Sequence, residues 1–157
     1  VKYCNKKNKD LLKDNKIKLV TFGRKQNFHI NVPHISWHHL KVIKGDKKLN
    51  SLYRSADVFI SPASGCNAPS TIREATINNI PTIGFDNGEA SEAIKNNVNG
   101  FLFSVYNKKK FAVAIFNILF NKKFKKDEKW NNLILKRYNS KTEANSIISK
   151  ALEDIKR

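Results

Sequence analysis

Short apolar strands alternate with helices along most of this sequence, and that alternation limits the folds that the chain can adopt. Segments rich in β-branched and aromatic residues read as strands at 16–22, 35–40, 57–60, 81–85 and 100–103. Segments with the apolar spacing of helices fall at 47–56, 71–79, 92–97, 108–121, 127–138 and 141–156. This order predicts an α/β fold of the Rossmann-like type, a parallel sheet with helices on both faces. Ligands of such folds bind outside the carboxyl ends of the strands.

The length and the cysteine content favour one domain without disulfide or metal staples. A chain of 157 residues can bury about 70% of the surface of its unfolded form. We therefore predict a single Rossmann-like domain over residues 1–157, with residues 122–157 as its C-terminal helical extension. The two cysteines, Cys4 and Cys66, form neither a disulfide framework nor a zinc site with nearby histidines. We expect a reducing, cytoplasmic location and no resident metal or cofactor.

The positive charge is concentrated outside the middle of the chain. There are 30 Lys and Arg against 13 Asp and Glu, a formal net charge of +17. Residues 57–106 hold two basic and five acidic side chains, a net charge of −3, so the other residues carry +20. The clustered lysines favour a solvated surface with weak anion affinity, and a surface that touches anionic lipid at the inner face of a membrane is the alternative. Nucleic-acid recognition is disfavoured, since no motif for reading DNA or RNA accompanies the charge.

A helix start inside this weakly acidic segment is the best candidate for a binding site. A predicted strand ends near Ser61, an irregular loop follows, and a helix begins at about Ser70 or Thr71. The unpaired N–H groups at a helix start bind phosphate without any lysine. Glu74, at the end of the first turn, could accept hydrogen bonds from ribose hydroxyls. The spacing of Thr71 and Glu74 by itself favours a capping box, in which the glutamate only stabilises the helix.

The same segment resembles the donor-binding half of the family 4 retaining glycosyltransferases, which belong to the group 1 glycosyl transferases. The resemblance is carried by LYRSADVFISPA, APSTIREATINNIPTIGFD, NNVNGFLF and KKKFAVAIFNILFN, in the family's order and spacing, and covers residues 16–121. It implies a protein of two Rossmann-like halves that binds a nucleotide sugar in the cleft between them. It also implies sugar transfer with retention of anomeric configuration.

The resemblance assigns roles to particular residues of the chain. It implies that Glu74 holds the ribose hydroxyls, and that the backbone N–H groups of Ser70 and Thr71 meet the diphosphate. It also implies a loop beside the sugar ring, which comprises Asn67, Ala68 and Pro69. The loop that recognises the base would comprise Lys41, Val42 and Ile43.

The chain departs from the family's pattern in three ways. Cys66 stands eight positions before Glu74, where the family has an acidic residue, and a thiol supplies neither its charge nor its acceptor strength. Cys66 fits either a buried cysteine without a catalytic role or a cysteine that contacts the sugar, and the catalytic residue stays unassigned. Pro69 replaces a glycine of many members and removes one backbone donor. The family's basic pair, which clamps the diphosphate, would precede the residues present here.

We therefore expect an N-terminally incomplete donor half of a glycosyltransferase involved in polysaccharide biosynthesis. Its partners would be a nucleotide sugar, a glycan or lipid-linked acceptor, and an acceptor-binding N-terminal half in the same gene or in a separate chain. The alternative is a non-catalytic, degenerate transferase half that acts as a basic binding module for anionic surfaces.

Overall fold

The computed structural model describes residues 17–24, 29–63, 70–105, 107–121 and 128–137. Within them the chain forms five strands and five helices that largely alternate. The strands are β1 (Ile17–Phe22), β2 (Ile35–Leu40), β3 (Phe59–Ser61), β4 (Thr82–Phe85) and β5 (Gly100–Phe103). The helices are α1 (Asp46–Arg54), α2 (Ser70–Ile77), α3 (Glu89–Ala93), α4 (Lys108–Asn121) and α5 (Glu128–Arg137).

All strand pairs among these residues are parallel, as the α/β prediction requires. β1 pairs with β2 over their full length, from Ile17 opposite Ile35 to Phe22 opposite Leu40. β4 is the middle strand of a three-stranded sheet, with β3 on one side and β5 on the other. The described strands thus form two sheets, of two and three strands, where the sequence predicted one.

The three-stranded sheet is covered by helices on both faces. On one face, Ile83 and Phe85 of β4 pack with Phe111, Ala114 and Ile118 of α4. On the other face, helices α2 and α3 cover the sheet through a cluster that contains Ile72, Ala90 and Ala93. Every residue of β4 is buried, which explains why its sequence is apolar without alternation.

Helix α1 connects the two sheets through one buried aromatic side chain. Tyr53 is 2% exposed, and its ring packs edge-on against Phe22 at the end of β1 and against Phe59 at the start of β3. Ala75 of α2 and Ile80 belong to the same cluster. Tyr53 therefore fixes α1 against both sheets and against α2.

The predicted elements that fall on described residues are confirmed in kind, with one displaced helix. The helix predicted at 92–97 is wrong in position, since α3 ends at Ala93. The side chain of the buried Asn99 accepts from the N–H of Lys95 at 2.7 Å and donates to the carbonyl of Ala93 at 2.8 Å. These bonds satisfy backbone groups at the helix end, and Asn97 then takes a left-handed conformation with φ of 64°.

Of the predicted C-terminal extension, residues 122–157, the structure describes residues 128–137. The helix predicted at 127–138 is confirmed as α5, which lies against α2. The helix predicted at 141–156 lies outside the described residues. None of the helices that the structure describes has the length and apolar character needed to cross a membrane.

Candidate functional site

The site predicted from the sequence lies where β3 ends and α2 begins, at the carboxyl edge of the three-stranded sheet. β3 ends at Ser61, and α2 begins at Ser70. The connection includes Cys66, Asn67, Ala68 and Pro69, which lie outside the described residues. The sugar loop and the position of the family's acidic residue therefore stay predictions.

Ser70 and Thr71 are the first two residues of α2, as the sequence predicted. Ser70 is exposed and Thr71 is half-buried. N–H groups in the first turn have no partner within their own helix, and together they carry a partial positive charge. Peptide N–H groups at such a helix start are the donors that a phosphate needs.

The carboxylate of Glu74 does not make the capping-box bond that its spacing from Thr71 allows. Thr71 is already inside the helix, so it is not the residue that caps it. The hydroxyl of Tyr53 donates to Oε2 of Glu74 at 2.9 Å instead. No described residue donates to the other oxygen, Oε1, of this half-buried side chain. Glu74 thus has one oxygen held by Tyr53, and its other oxygen has no donor among the described residues.

The environment keeps the Tyr53 hydroxyl protonated. Burial raises the pKa of the Tyr53 phenol well above its ordinary value of 10.0, and the hydrogen bond and charge of Glu74 raise it further. The phenol therefore stays protonated, as a hydrogen-bond donor to Glu74, at pH values at which an unperturbed tyrosine ionises.

Two further hydrogen bonds organise the same edge. The side chain of Asn87, in the turn after β4, donates to the carbonyl of Ala63 at 3.0 Å and so fixes the start of the connection to α2. The backbone N–H of the exposed Asp86 donates to Phe103 at 2.9 Å, which ties the end of β4 to β5. Asp86 lies at the predicted edge, and no described contact assigns it a ligand role.

The predicted base loop follows β2 and leads into α1. Lys41 and Val42 are exposed, and Ile43 is half-buried. Gly45 precedes α1 with φ of 93°, a conformation that favours glycine. No hydrogen bond among the described residues joins this loop to Glu74. The loop leads into α1, and Tyr53 of α1 contacts Glu74.

Sequence reasoning missed Tyr53 and Asn87 as parts of this site. Tyr53 fitted the apolar face of a helix, and no local pattern connects it to a glutamate 21 residues away. Asn87 fitted a turn residue, for which Asn is common whatever its partner. No group of three or more His, Cys, Asp or Glu side chains among the described residues is arranged to hold a metal ion.

Comparison with known proteins gives one family match. The family model described as glycosyl transferases group 1 matches residues 4–137. A search of curated proteins finds no match to the chain. The family match covers both sheets, the α2 edge and all of the described residues, and it agrees with the Rossmann-like arrangement of parallel strands between helices. The chain therefore belongs to the group 1 glycosyl transferases, whose activity requires a sugar donor and an acceptor.

Proposed function

We propose that the chain is the donor half of a retaining glycosyltransferase, and that the edge beside α2 binds a nucleoside-diphosphate sugar. Membership in the group 1 glycosyl transferases supports glycosyl transfer. One observation carries the choice of site. The Glu74 carboxylate lies one turn into α2, Tyr53 holds one of its oxygens, and no described donor reaches the other.

The proposed chemistry divides between the helix start and the carboxylate. The N–H groups of Ser70 and Thr71 bind the diphosphate and stabilise the negative charge that it gains as the bond to the sugar breaks. A ribose hydroxyl donates to Oε1 of Glu74, a charge-assisted bond worth about 1.5–3 kcal/mol. Peptide N–H groups serve here in place of a metal ion, so the chelator EDTA is expected to leave nucleotide affinity unchanged.

The acceptor side belongs to the same proposal. The acceptor, a glycan or a lipid-linked saccharide, would approach from an N-terminal half encoded in the same gene or in a separate chain. Two walls are needed to align acceptor and donor and to exclude water. The thiol of Cys66 would leave the sugar without the family's carboxylate, which makes donor capture the part of the reaction we assign to this chain.

Calorimetric titration with uridine and guanosine diphosphates tests the proposal. Glu74→Gln removes one negative charge at nearly constant size and should weaken binding about tenfold or more. Asp57→Asn is the matched control, because it removes the same charge from an exposed side chain before β3, at the opposite edge of the sheet. Equal affinities of the wild type and Glu74→Gln, or no saturable binding of either nucleotide, would reject the ribose role.

Exposed lysines favour the second candidate function, a non-catalytic basic module. The lysines of the segments 41–48 and 108–110 are all exposed, and the latter three begin α4. This function predicts binding to any polyanion, with an affinity that falls steeply as salt increases. Saturable nucleotide binding that depends on Glu74 and persists at about 150 mM salt would argue against it.

A further inference from the structure

The contact between Tyr53 and Glu74 joins two helices that meet at the proposed site. The Tyr53 hydroxyl, near the end of α1, donates to Oε2 of Glu74 on α2 at 2.9 Å. Tyr53 is almost fully buried, whereas Glu74 is half-buried. The hydrogen bond therefore connects the core to a side chain that can reach a ligand.

The ring of Tyr53 is held from two sides, which fixes the position of its hydroxyl. Phe22 packs edge-on at 5.9 Å between ring centroids, and Phe59 does so at 5.6 Å. Any movement of the hydroxyl would require these rings to repack, and close-packed cores resist such movement. A glutamate without this partner would sample several rotamers, and ordering it on binding would reduce affinity.

A second set of hydrogen bonds joins α1 to Asn78, the residue that follows α2, without touching the carboxylate. Arg54 donates to the side-chain oxygen of Asn78 at 3.2 Å, and Asn78 donates to the side chain of Asn50 at 2.8 Å. Asn78 also donates to the backbone carbonyl of Glu74 at 2.9 Å. The helix pair therefore keeps its packing if only the Tyr53 hydroxyl is removed, so the role of that hydroxyl can be tested by itself.

We propose that Tyr53 is a positioning residue for ribose recognition: its hydroxyl occupies Oε2 of Glu74 and aims Oε1 at the ribose. This inference rests on the proposed function of Glu74. It also specifies that function, because recognition then depends on one carboxylate oxygen. Tyr53 itself does not touch the nucleotide. A purely structural role is the competing explanation, in which Glu74 only satisfies a buried phenol.

The test compares nucleotides that differ only in the ribose hydroxyls. The full chain is titrated with uridine and guanosine diphosphates and with their 2′,3′-dideoxy counterparts, and the ratio of the two dissociation constants is the readout. We expect the wild type to prefer the ribonucleotide about tenfold or more. Tyr53→Phe, which keeps the packed ring, should lower this preference about fivefold and leave the affinity for the dideoxy form unchanged.

Two controls separate positioning from general stability. Asn50→Ala removes a hydrogen bond between α1 and Asn78, directly after α2, and should keep the wild-type ratio. Tyr53→p-aminophenylalanine restores a donor at the end of the ring and should restore the preference for the ribonucleotide. This variant keeps the inference testable if the phenylalanine variant folds poorly. A Tyr53→Phe variant that folds and keeps the wild-type ratio, or that weakens both nucleotides equally, overturns the inference.

The outcomes distinguish this inference from the function on which it rests. If the wild type binds ribo- and dideoxynucleotides equally, or binds neither, the proposed role of Glu74 fails and the inference fails with it. If the wild type discriminates but Tyr53→Phe discriminates equally well, only the inference fails.

Discussion

At the scale of single residues, the buried phenol beside a carboxylate makes stability depend on pH in a defined direction. Burial and the neighbouring Glu74 raise the pKa of Tyr53 in the folded chain above the ordinary value of 10.0 that applies when the chain is unfolded. Above pH 10 the unfolded form therefore releases a proton that the folded form keeps. The free energy of unfolding consequently falls as pH rises.

Tyr53→Phe should remove this pH dependence. Between pH 10 and 12 the wild type is expected to lose up to about 1.4 kcal/mol of stability per pH unit more than the variant. Urea denaturation at several pH values measures the difference in slope, so the lower starting stability of the variant does not matter. Because the chain has four tyrosines, the difference between the two proteins is the informative quantity. Parallel slopes over this range would contradict the burial of the phenol beside Glu74.

The residues of the site also show what local sequence patterns could and could not predict. The position of the helix start at Ser70 was predictable, because a loop with Gly and Pro precedes an apolar periodic segment. The hydrogen-bond partner of Glu74 was not. Glu74 makes a tertiary contact and not a capping bond, because α1 brings the Tyr53 hydroxyl to its carboxylate. Sequence spacing contains no information on how the two helices pack.

At the scale of secondary-structure elements, the centre of the three-stranded sheet depends on a close approach between β4 and β5. Gly100 lies opposite Thr82, and a Cβ at Gly100 would overlap the backbone carbonyl of Thr82. Gly84, two residues after Thr82 in β4, has more room for a side chain. A Cβ there would lie 3.3 Å from Cδ1 of Ile94, the end of a flexible side chain.

Alanine substitutions at these two glycines should therefore differ in cost. Gly100→Ala is expected to lower the free energy of unfolding by about 3 kcal/mol, because backbone atoms must move apart. Gly84→Ala, which only requires Ile94 to adjust, should cost about 1 kcal/mol or less. Denaturant unfolding of both variants measures the difference. Similar losses for the two would show that β5 does not approach β4 in this way.

The elements themselves were largely predictable because each carries its own periodicity and punctuation. β4 is a buried β-branched and aromatic run that follows Pro81, and α4 has a continuous apolar face. The position of α3 was not predictable, since the side chain of Asn99 competes with the helix for backbone groups. The division of the described strands into two sheets was also beyond prediction, because strand pairing depends on contacts between distant segments.

At the scale of the whole molecule, the clustered lysines and the segment that contains α2 occupy different parts of the sequence. The described lysines at 41–48 and 108–110 are exposed. The segment that contains α2 and Glu74 has few basic residues. A nucleotide bound by general attraction to lysines would lose most of its affinity in salt. One bound at the start of α2 by peptide N–H groups would lose much less, because short contacts are screened weakly.

The most direct test is to map backbone amide chemical shifts by NMR while uridine or guanosine diphosphate is added to the full chain at about 150 mM salt. We predict saturable shifts at the amides of Ser70, Thr71 and Glu74 and in the loop at 41–43, with no change at the lysines that begin α4. Shifts confined to residues 108–110, or none at α2, would contradict the account.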